Sequence, residues 1–268
     1  MTVDAIAFDL DDTLLRDDRI ISEYTLSVLR RAADRGIRVI PASGRTRDSM
    51  RSFVDQIGCA DCFISCNGAE VWRPDMTLLA QELLDTPLAR EVARFAEDRG
   101  CYAQTYAEDC FFYNQRGKWA DAYAASSQLR GVYVGHLEAY IARPTPKILI
   151  MDAPERIAVL MEEARAAFGG RVSLTCSKPY FLEVNPLRAT KGNALRWCAE
   201  RFGLSMANTM AFGDSLNDLS MLPAVGHGVA VANAREDVLA QIPGRCGSNE
   251  DDGLARHIEQ HVLSGGNT

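Results

Sequence analysis

Four clusters of polar residues in this 268-residue chain could do chemistry together. The first is Asp9-Leu10-Asp11-Asp12-Thr13, three carboxylates within four residues, directly after the apolar run Val3 to Phe8. Carboxylates crowded beside a buried strand repel one another and lose hydration, so the arrangement is costly unless a cation neutralises it. An exposed acidic turn is the plain alternative. A calcium loop is not, because it needs Gly at its sixth position and Glu at its twelfth, where this chain has Leu14 and Ile20.

The second cluster, Ser43-Gly44-Arg45-Thr46, stands where a strand ends and a helix starts, so a hydroxyl and free backbone N–H groups could face a phosphate oxygen. Alone, it also fits an ordinary turn with an N-cap. The third, Lys191-Gly192, puts a cation at the start of a helix, where the helix dipole disfavours it. Something anionic should compensate, unless the lysine is simply solvated. The fourth, Gly213-Asp214-Ser215-Leu216-Asn217-Asp218, follows the apolar run Thr209 to Phe212, and an N-cap explains one of its aspartates but not both with the Asn.

Each cluster follows an apolar run or opens a helix, and the carboxyl edge of an open parallel sheet is where ligands bind. Val3 to Phe8 reads as a buried parallel strand; a helix capped near Ser22 runs to about Arg35, Gly36 stops it, and the strand Ile37 to Ala42 follows. A helix from about Thr46 leads to a third strand, Cys62 to Ser65. From Leu83 to Arg188 the pattern changes to helices mixed with aromatic-rich strands such as Cys101 to Ala107 and Cys110 to Asn114. Within it, Asp152 and Glu155 suggest a capping box, followed by a helix with Ile157, Leu160, Met161, Ala164 and Phe168 on one face. The α/β rhythm then resumes: helix 191–202 ended by Gly203, strand Thr209 to Phe212, helix from Ser215, strand Gly228 to Val231, and a last helix near Asp252 to Leu263. The expected fold is α/β: a three-layer, Rossmann-like core with a central parallel sheet, discontinuous over 1–82 and 189–268, with an inserted α+β cap domain at 83–188.

The net charge of −7 and sequence pI near 5.2, with acids and bases interspersed, argue against a nucleic-acid partner. No run reaches the roughly 18 apolar residues of a membrane span, and the first residues lack a signal-peptide pattern, so a cytoplasmic protein without a membrane partner is expected. In that compartment the eight cysteines read as reduced thiols, and Cys59-x2-Cys62-x3-Cys66 as part of a buried strand rather than a zinc corner.

In order, Asp-x-Asp-x-Thr, Ser-Gly-Arg, Lys-Gly and Gly-Asp-Ser-x-Asn-Asp resemble the motifs of the haloacid dehalogenase-like phosphohydrolases. The likeness is strongest to the Cof-type branch, through Asn67-Gly68-Ala69, Lys191 to Leu195, Val229 to Ala234 and Asn249 to Leu254, and it spans nearly the whole chain. His227 departs from the pattern, which usually has a small or apolar residue there, and reads more simply as a structural histidine.

The resemblance implies a magnesium-dependent phosphatase for small phosphorylated metabolites, sugar phosphates among them, working through an aspartyl-phosphate. Asp9 would be the nucleophile and Asp11 the general acid and base, its pKa raised by neighbouring carboxylates. Mg²⁺ would be held by the Asp9 carboxylate, the Asp11 carbonyl and Asp214, supported by Asp218 or Asn217 from behind. Ser43, Gly44, Lys191 and Asn217 would bind phosphoryl oxygens, and Thr13 would steady the acid loop. An acid two residues after the nucleophile favours phosphoryl transfer over dehalogenation. A sugar phosphomutase on the same scaffold, or a non-catalytic metabolite sensor, are the other readings. Caps of this kind select the ester, so Arg45, Lys178, Glu183 and Arg188 are candidates for reading the leaving group. The aromatic residues from Tyr102 to Tyr140 either line that pocket or form the buried face of the cap sheet.

Overall fold

The structure is a computed structural model that describes residues 2–107 and 109–264. The chain begins β1 (Ala5–Phe8), α1 (Glu23–Asp34), β2 (Arg38–Pro41), α2 (Arg47–Ile57), β3 (Phe63–Ser65), then a hairpin of β4 (Glu70–Trp72) and β5 (Leu78–Gln81). A long inserted stretch follows: α3 (Thr86–Glu97), β6 (Tyr102–Ala107), β7 (Cys110–Tyr113), α4 (Lys118–Ser127), β8 (Arg130–Tyr133), α5 (Leu137–Tyr140), β9 (Ile148–Met151), α6 (Pro154–Phe168), β10 (Val172–Thr175) and β11 (Phe181–Pro186). The chain ends with α7 (Lys191–Phe202), β12 (Thr209–Gly213), β13 (His227–Ala230), α8 (Glu236–Gln241), β14 (Gly244–Arg245) and α9 (Gly253–Ile258).

Strands order β14-β13-β12-β1-β2, all parallel, and β3 lies beside β2 through the Ala42–Ile64 bridge. The sequence of β1 shows why helices cover both faces. Ile6 and Phe8 point into one apolar layer with α1, α2 and α9, while Ala5 and Ala7 pack in the other against Leu195 and Cys198 of α7. Because the strands are parallel, the segments after β1, β2 and β12 emerge on one edge.

The insert builds a separate six-stranded sheet, β10-β11-β9-β6-β7-β8, antiparallel except for the β7–β8 pair. Helices α3 and α6 supply Val92, Phe95, Leu160 and Phe168 to its apolar layer. On its other side, Tyr102, Tyr106, Phe111 and Tyr123 form an aromatic cluster, so these rings stabilise the sheet.

Two local expectations change. The helix expected from Ser215 is a short 3₁₀ turn, Leu216–Ser220; Pro223 has no N–H to donate to Leu219, which prevents an α-helix from continuing. The capping box at Asp152 and Glu155 does not form. The N-cap is Ala153 with Pro154 at N1, one position out of frame, and Asp152 instead accepts from the Ala153 N–H. Among the described residues no helix is long and apolar enough to cross a membrane.

Among the described residues, three side-chain hydrogen-bond contacts fasten the insert over the edge where these segments emerge. Arg19 donates to the Ser126 carbonyl at 2.9 Å, and Ser49 to the Ser127 carbonyl at 3.0 Å. In the third, Lys147, just before β9, donates to the Gly44 carbonyl and, within the insert, to Glu183 Oε1, each at 2.8 Å. Both side chains of that pair are under 4% exposed. Lys147→Met strands the Glu183 charge in a buried site and should lower stability by about 3–5 kcal/mol. Thermal unfolding should show the loss, and the double variant Lys147→Met/Glu183→Leu should recover most of it; a single variant as stable as the parent would refute a structural role for the pair.

Candidate active site

Lys191 opens α7 and is completely buried. Its Nζ donates to Asp9 Oδ1 at 2.5 Å and to Asp218 Oδ1 at 2.7 Å. This is the anionic compensation that a cation at a helix start requires. Burial alone would lower the Lys191 pKa, but the Asp218 and Asp9 charges outweigh it and raise it. Asp218 is also fully used: its Oδ2 accepts from the backbone N–H groups of Asp214 and Ser215. It therefore sets the Gly213–Asp218 turn and holds Lys191, leaving neither oxygen free.

Asp9 and Asp214 each keep an oxygen. Thr13 Oγ1 donates to Asp214 Oδ1 at 2.8 Å, tying the first acidic segment to the fourth cluster. Neither Asp9 Oδ2 nor Asp214 Oδ2 has a hydrogen-bond partner among the described residues. Carboxylate oxygens of Asp9, Asp214 and Asp218 all lie within 4.8 Å of one another, and all three residues are buried. Burial pushes Asp9 up to about 7; Lys191 pulls it down, while Asp218 and Asp11 push it further up. Burial, then the Asp9 and Asp218 charges, hold Asp214 well above the usual carboxylate range. Three crowded carboxylates thus face one ammonium. The remaining negative charge and the two free oxygens fit a hard divalent cation such as Mg²⁺.

Asp11 differs from expectation. Its carboxylate lies outside that trio and is gripped in bidentate fashion by Arg45, through Nε at 2.8 Å and Nη2 at 2.7 Å. Burial would raise Asp11, but the Arg45 hydrogen bonds and charge outweigh it and hold the carboxyl below its ordinary value. The expected elevation by neighbouring carboxylates is therefore corrected: a guanidinium dominates. Arg45, a candidate for reading the leaving group, is the bidentate partner of Asp11 and also donates to Ser49.

Ser43 is buried, and its Oγ accepts from the Arg45 N–H at 3.1 Å. At Gly44 a Cβ would lie 3.0 Å from Asn67 Oδ1 and 3.2 Å from Glu183 Oε1, so the glycine permits close approach of three segments. Asn217 lines the cavity with its amide partly engaged. Its Nδ2 donates to Asn67 Oδ1 and its Oδ1 accepts from Ser215, so it fastens the Asn67 turn. Asn67 holds a positive φ, as does Cys66.

These groups surround a cavity of about 310 Å³, the scale of a small-molecule site. Asp9, Asp11, Ser43, Gly44, Arg45, Asp214 and Asn217 line it, as do Lys178 and Glu183. Arg188 does not. It is exposed beyond the end of β11, and its carbonyl accepts from Asn193, which places it apart from the cavity that Lys178 and Glu183 line. His227 starts β13 and so lies at the opposite end of the strands from Asp214.

The sequence reading missed Lys147, Arg19, Tyr180 and Phe181, all of which line the cavity. Lys147 left one signal, a lone charge abutting the fully apolar run Ile148–Met151. Arg19 left none, because its place depends on a loop with positive φ.

Comparison with known proteins agrees with this geometry. The haloacid dehalogenase-like hydrolase family matches residues 6–258. The chain is 30% identical over 260 residues to the 5-amino-6-(5-phospho-D-ribitylamino)uracil phosphatase YcsE of Bacillus subtilis, covering 96% of this chain and 95% of that protein. It is 31% identical over 271 residues to an HMP-PP phosphatase of Serratia proteamaculans, with 96% and 95% covered. A crystal structure of a haloacid dehalogenase-like hydrolase from Bacteroides thetaiotaomicron superposes with a TM-score of 0.85 at 25% identity, over 96% of this chain and 99% of that one. A subclass IIB sugar phosphatase shares the fold at a TM-score of 0.84 and 21% identity. The chain therefore belongs to the haloacid dehalogenase-like hydrolases, and among them it is an enzyme of the phosphatase kind.

Proposed function

We propose that this enzyme is a magnesium-dependent phosphatase that hydrolyses small phosphomonoesters through a phosphoryl group carried on Asp9. The observation that carries the reading is the Asp9 carboxylate: one oxygen fixed on buried Lys191, the other without a partner, at the floor of a cavity beside Ser43. A nucleophile needs that combination of fixed orientation and one available lone pair. The relatives' activities support the same chemistry, since those compared above are named phosphatases.

Mg²⁺ bound by the free oxygens of Asp9 and Asp214 would neutralise charge on the phosphoryl oxygens. The protein's own groups carry the remaining work. Asp9 attacks phosphorus in line, the bond to the ester oxygen breaks, and Asp11 gives that oxygen a proton. Water then attacks the phosphoryl group, Asp11 takes a proton back, and the Asp9–phosphorus bond breaks to release inorganic phosphate. Arg45 sets the condition for this cycle. While it grips both Asp11 oxygens, Asp11 favours the ionised form. A phosphate dianion beside Arg45 competes for the same guanidinium, and Asp11 becomes a better proton donor as that grip loosens.

Two outcomes follow. Asp9→Asn keeps the shape of the side chain but removes the nucleophilic oxygen, and phosphate release should fall by at least roughly a thousandfold; a variant with parental turnover excludes covalent catalysis by Asp9. Metal binding and protons compete for the same carboxylates, so Mg²⁺ affinity measured by calorimetry should weaken as pH falls through about 7, where buried Asp9 takes up its proton. The sign for stability follows: a carboxyl with a raised folded pKa favours folding below its unfolded value of 3.8 and loses that contribution as pH rises through about 7. Stabilisation by Mg²⁺ in thermal unfolding should accordingly be larger above this range than below it.

A further inference from the structure

We propose that Lys147, a residue of the insert, is a positioning residue for phosphoryl transfer that sets the Ser43 hydroxyl through the Gly44–Arg45 peptide. This rests on the phosphatase reading, in which Ser43 meets the phosphoryl group, and adds how that hydroxyl is oriented.

The Ser43-Gly44-Arg45 backbone is held from two directions. The Ser43 N–H donates to the Ile64 carbonyl at 2.9 Å, the Ser43 carbonyl accepts from the Asn67 N–H at 3.0 Å, and the Arg45 carbonyl accepts from the Cys66 N–H at 2.8 Å. Those partners all belong to β3 and the turn that follows it. The Gly44–Arg45 peptide differs. Its carbonyl accepts from Lys147 Nζ at 2.8 Å, across the boundary with the insert, and its N–H donates to Ser43 Oγ at 3.1 Å. One planar unit thus joins an ammonium of the insert to the hydroxyl beside Asp9.

A peptide is rigid, with its C=O and N–H opposed in one plane, so holding the carbonyl aims the N–H. The ammonium also polarises the group and strengthens its N–H as a donor. A hydroxyl has one proton and two lone pairs. With the Arg45 N–H on the lone-pair side, the Ser43 proton turns elsewhere; it has no acceptor among the described residues, and Ser43 lines the cavity. That proton is left for a phosphoryl oxygen. The Gly44 N–H also lacks a partner among the described residues, but it belongs to the preceding peptide, whose carbonyl Asn67 holds. Lys147 therefore bears on the hydroxyl and not on that amide.

Lys147 has little left to offer substrate directly. Its Nζ donates to the Gly44 carbonyl and to Glu183 Oε1, and it stands 5.2 Å from the centre of the Tyr106 ring, whose face attracts a cation. Burial would lower its pKa, but the Glu183 charge outweighs this and raises it. The ammonium accordingly keeps its charge against the Gly44 carbonyl. Because Lys147 belongs to the insert and Ser43 to the core, the hydroxyl is set only with the insert seated.

The test is a cycle of variants read on Mg²⁺-dependent hydrolysis of acetyl phosphate and p-nitrophenyl phosphate, with the unfolding midpoint of each variant measured alongside. Lys147→Met/Glu183→Leu removes the ammonium together with its counter-ion, which spares the fold a stranded charge. Ser43→Ala alone should lower kcat/KM on the order of a hundredfold, the cost of one donor to developing negative charge. Lys147→Met/Glu183→Leu should lower it by at least about tenfold, as a displaced catalytic group does. It should also weaken inhibition by inorganic phosphate, which has no leaving group for Glu183 to meet. On the Ser43→Ala background the same two substitutions should change kcat/KM by less than about threefold, because the hydroxyl they misplace is gone. A merely structural tie would move the midpoints without this dependence on Ser43. Losses that multiply overturn the inference, as does a Lys147→Met/Glu183→Leu enzyme with parental kcat/KM, and both leave the phosphatase reading intact. No turnover of either probe by the parent chain removes that reading and this inference with it.

Discussion

A single buried ammonium organises the catalytic edge. Lys191 sits where a helix dipole repels it and where no water reaches it, so it remains charged only because Asp9 and Asp218 converge on it. The requirement acts on all three partners at once. Asp9 is held in one orientation, Asp218 is drawn into the turn after β12, and α7 must begin against that turn. Gly192 allows that contact: a Cβ there would come within 1.8 Å of the Ser220 carbonyl oxygen. With Asp214 beside Asp9, the edge carries more negative than positive charge, a shortfall of the kind a small divalent cation could offset.

The division of labour between the sheet edge and the insert was unequally legible in the sequence. The α/β class and the order of the core strands' apolar runs are written in period and punctuation. Val3 to Phe8 ends in aspartates, Ser22 caps α1, and Gly203 closes α7 in a left-handed conformation. The four clusters converge because parallel strands deliver their loops to one edge, a consequence of topology that local pattern can anticipate. What pattern could not supply is which side chain takes which partner. Asp11 looked like a carboxylate among carboxylates; Arg45, 34 positions away, reverses the sign of its environment. Asn217 was read for phosphate binding, and local pattern gave no sign that it also donates to Asn67, 150 positions earlier. Lys147 and Glu183 pair across antiparallel strands whose register a single sequence does not reveal.

The insert's hydrogen bonds to the sheet edge range from the exposed Arg19–Ser126 contact to the buried Ser49–Ser127 one. The Gly44 carbonyl accepts from Lys147, and the same glycine lets Asn67 and Glu183 approach within van der Waals distance. The backbone of the Ser43-Gly44-Arg45 segment is thereby shaped from both sides, by a core turn and by a residue of the insert. The Lys147–Glu183 ion pair lies within the insert and contributes little net stability against an apolar substitute, but it holds the ammonium that reaches the Gly44 carbonyl of the core.

The strand order has a metric consequence. Asp9, Ser43 and Asp214 follow β1 and its two immediate neighbours, β2 and β12, and hydrogen-bonded strands stand roughly 4.8 Å apart. The sheet is therefore a ruler whose divisions are set by backbone hydrogen bonds and not by any side chain. A group with oxygens on several sides can meet side chains from more than one of these divisions. That spacing belongs to the core sheet and is set independently of substitutions in the insert. The identity of the alcohol can drift in such a protein without recalibrating the ruler.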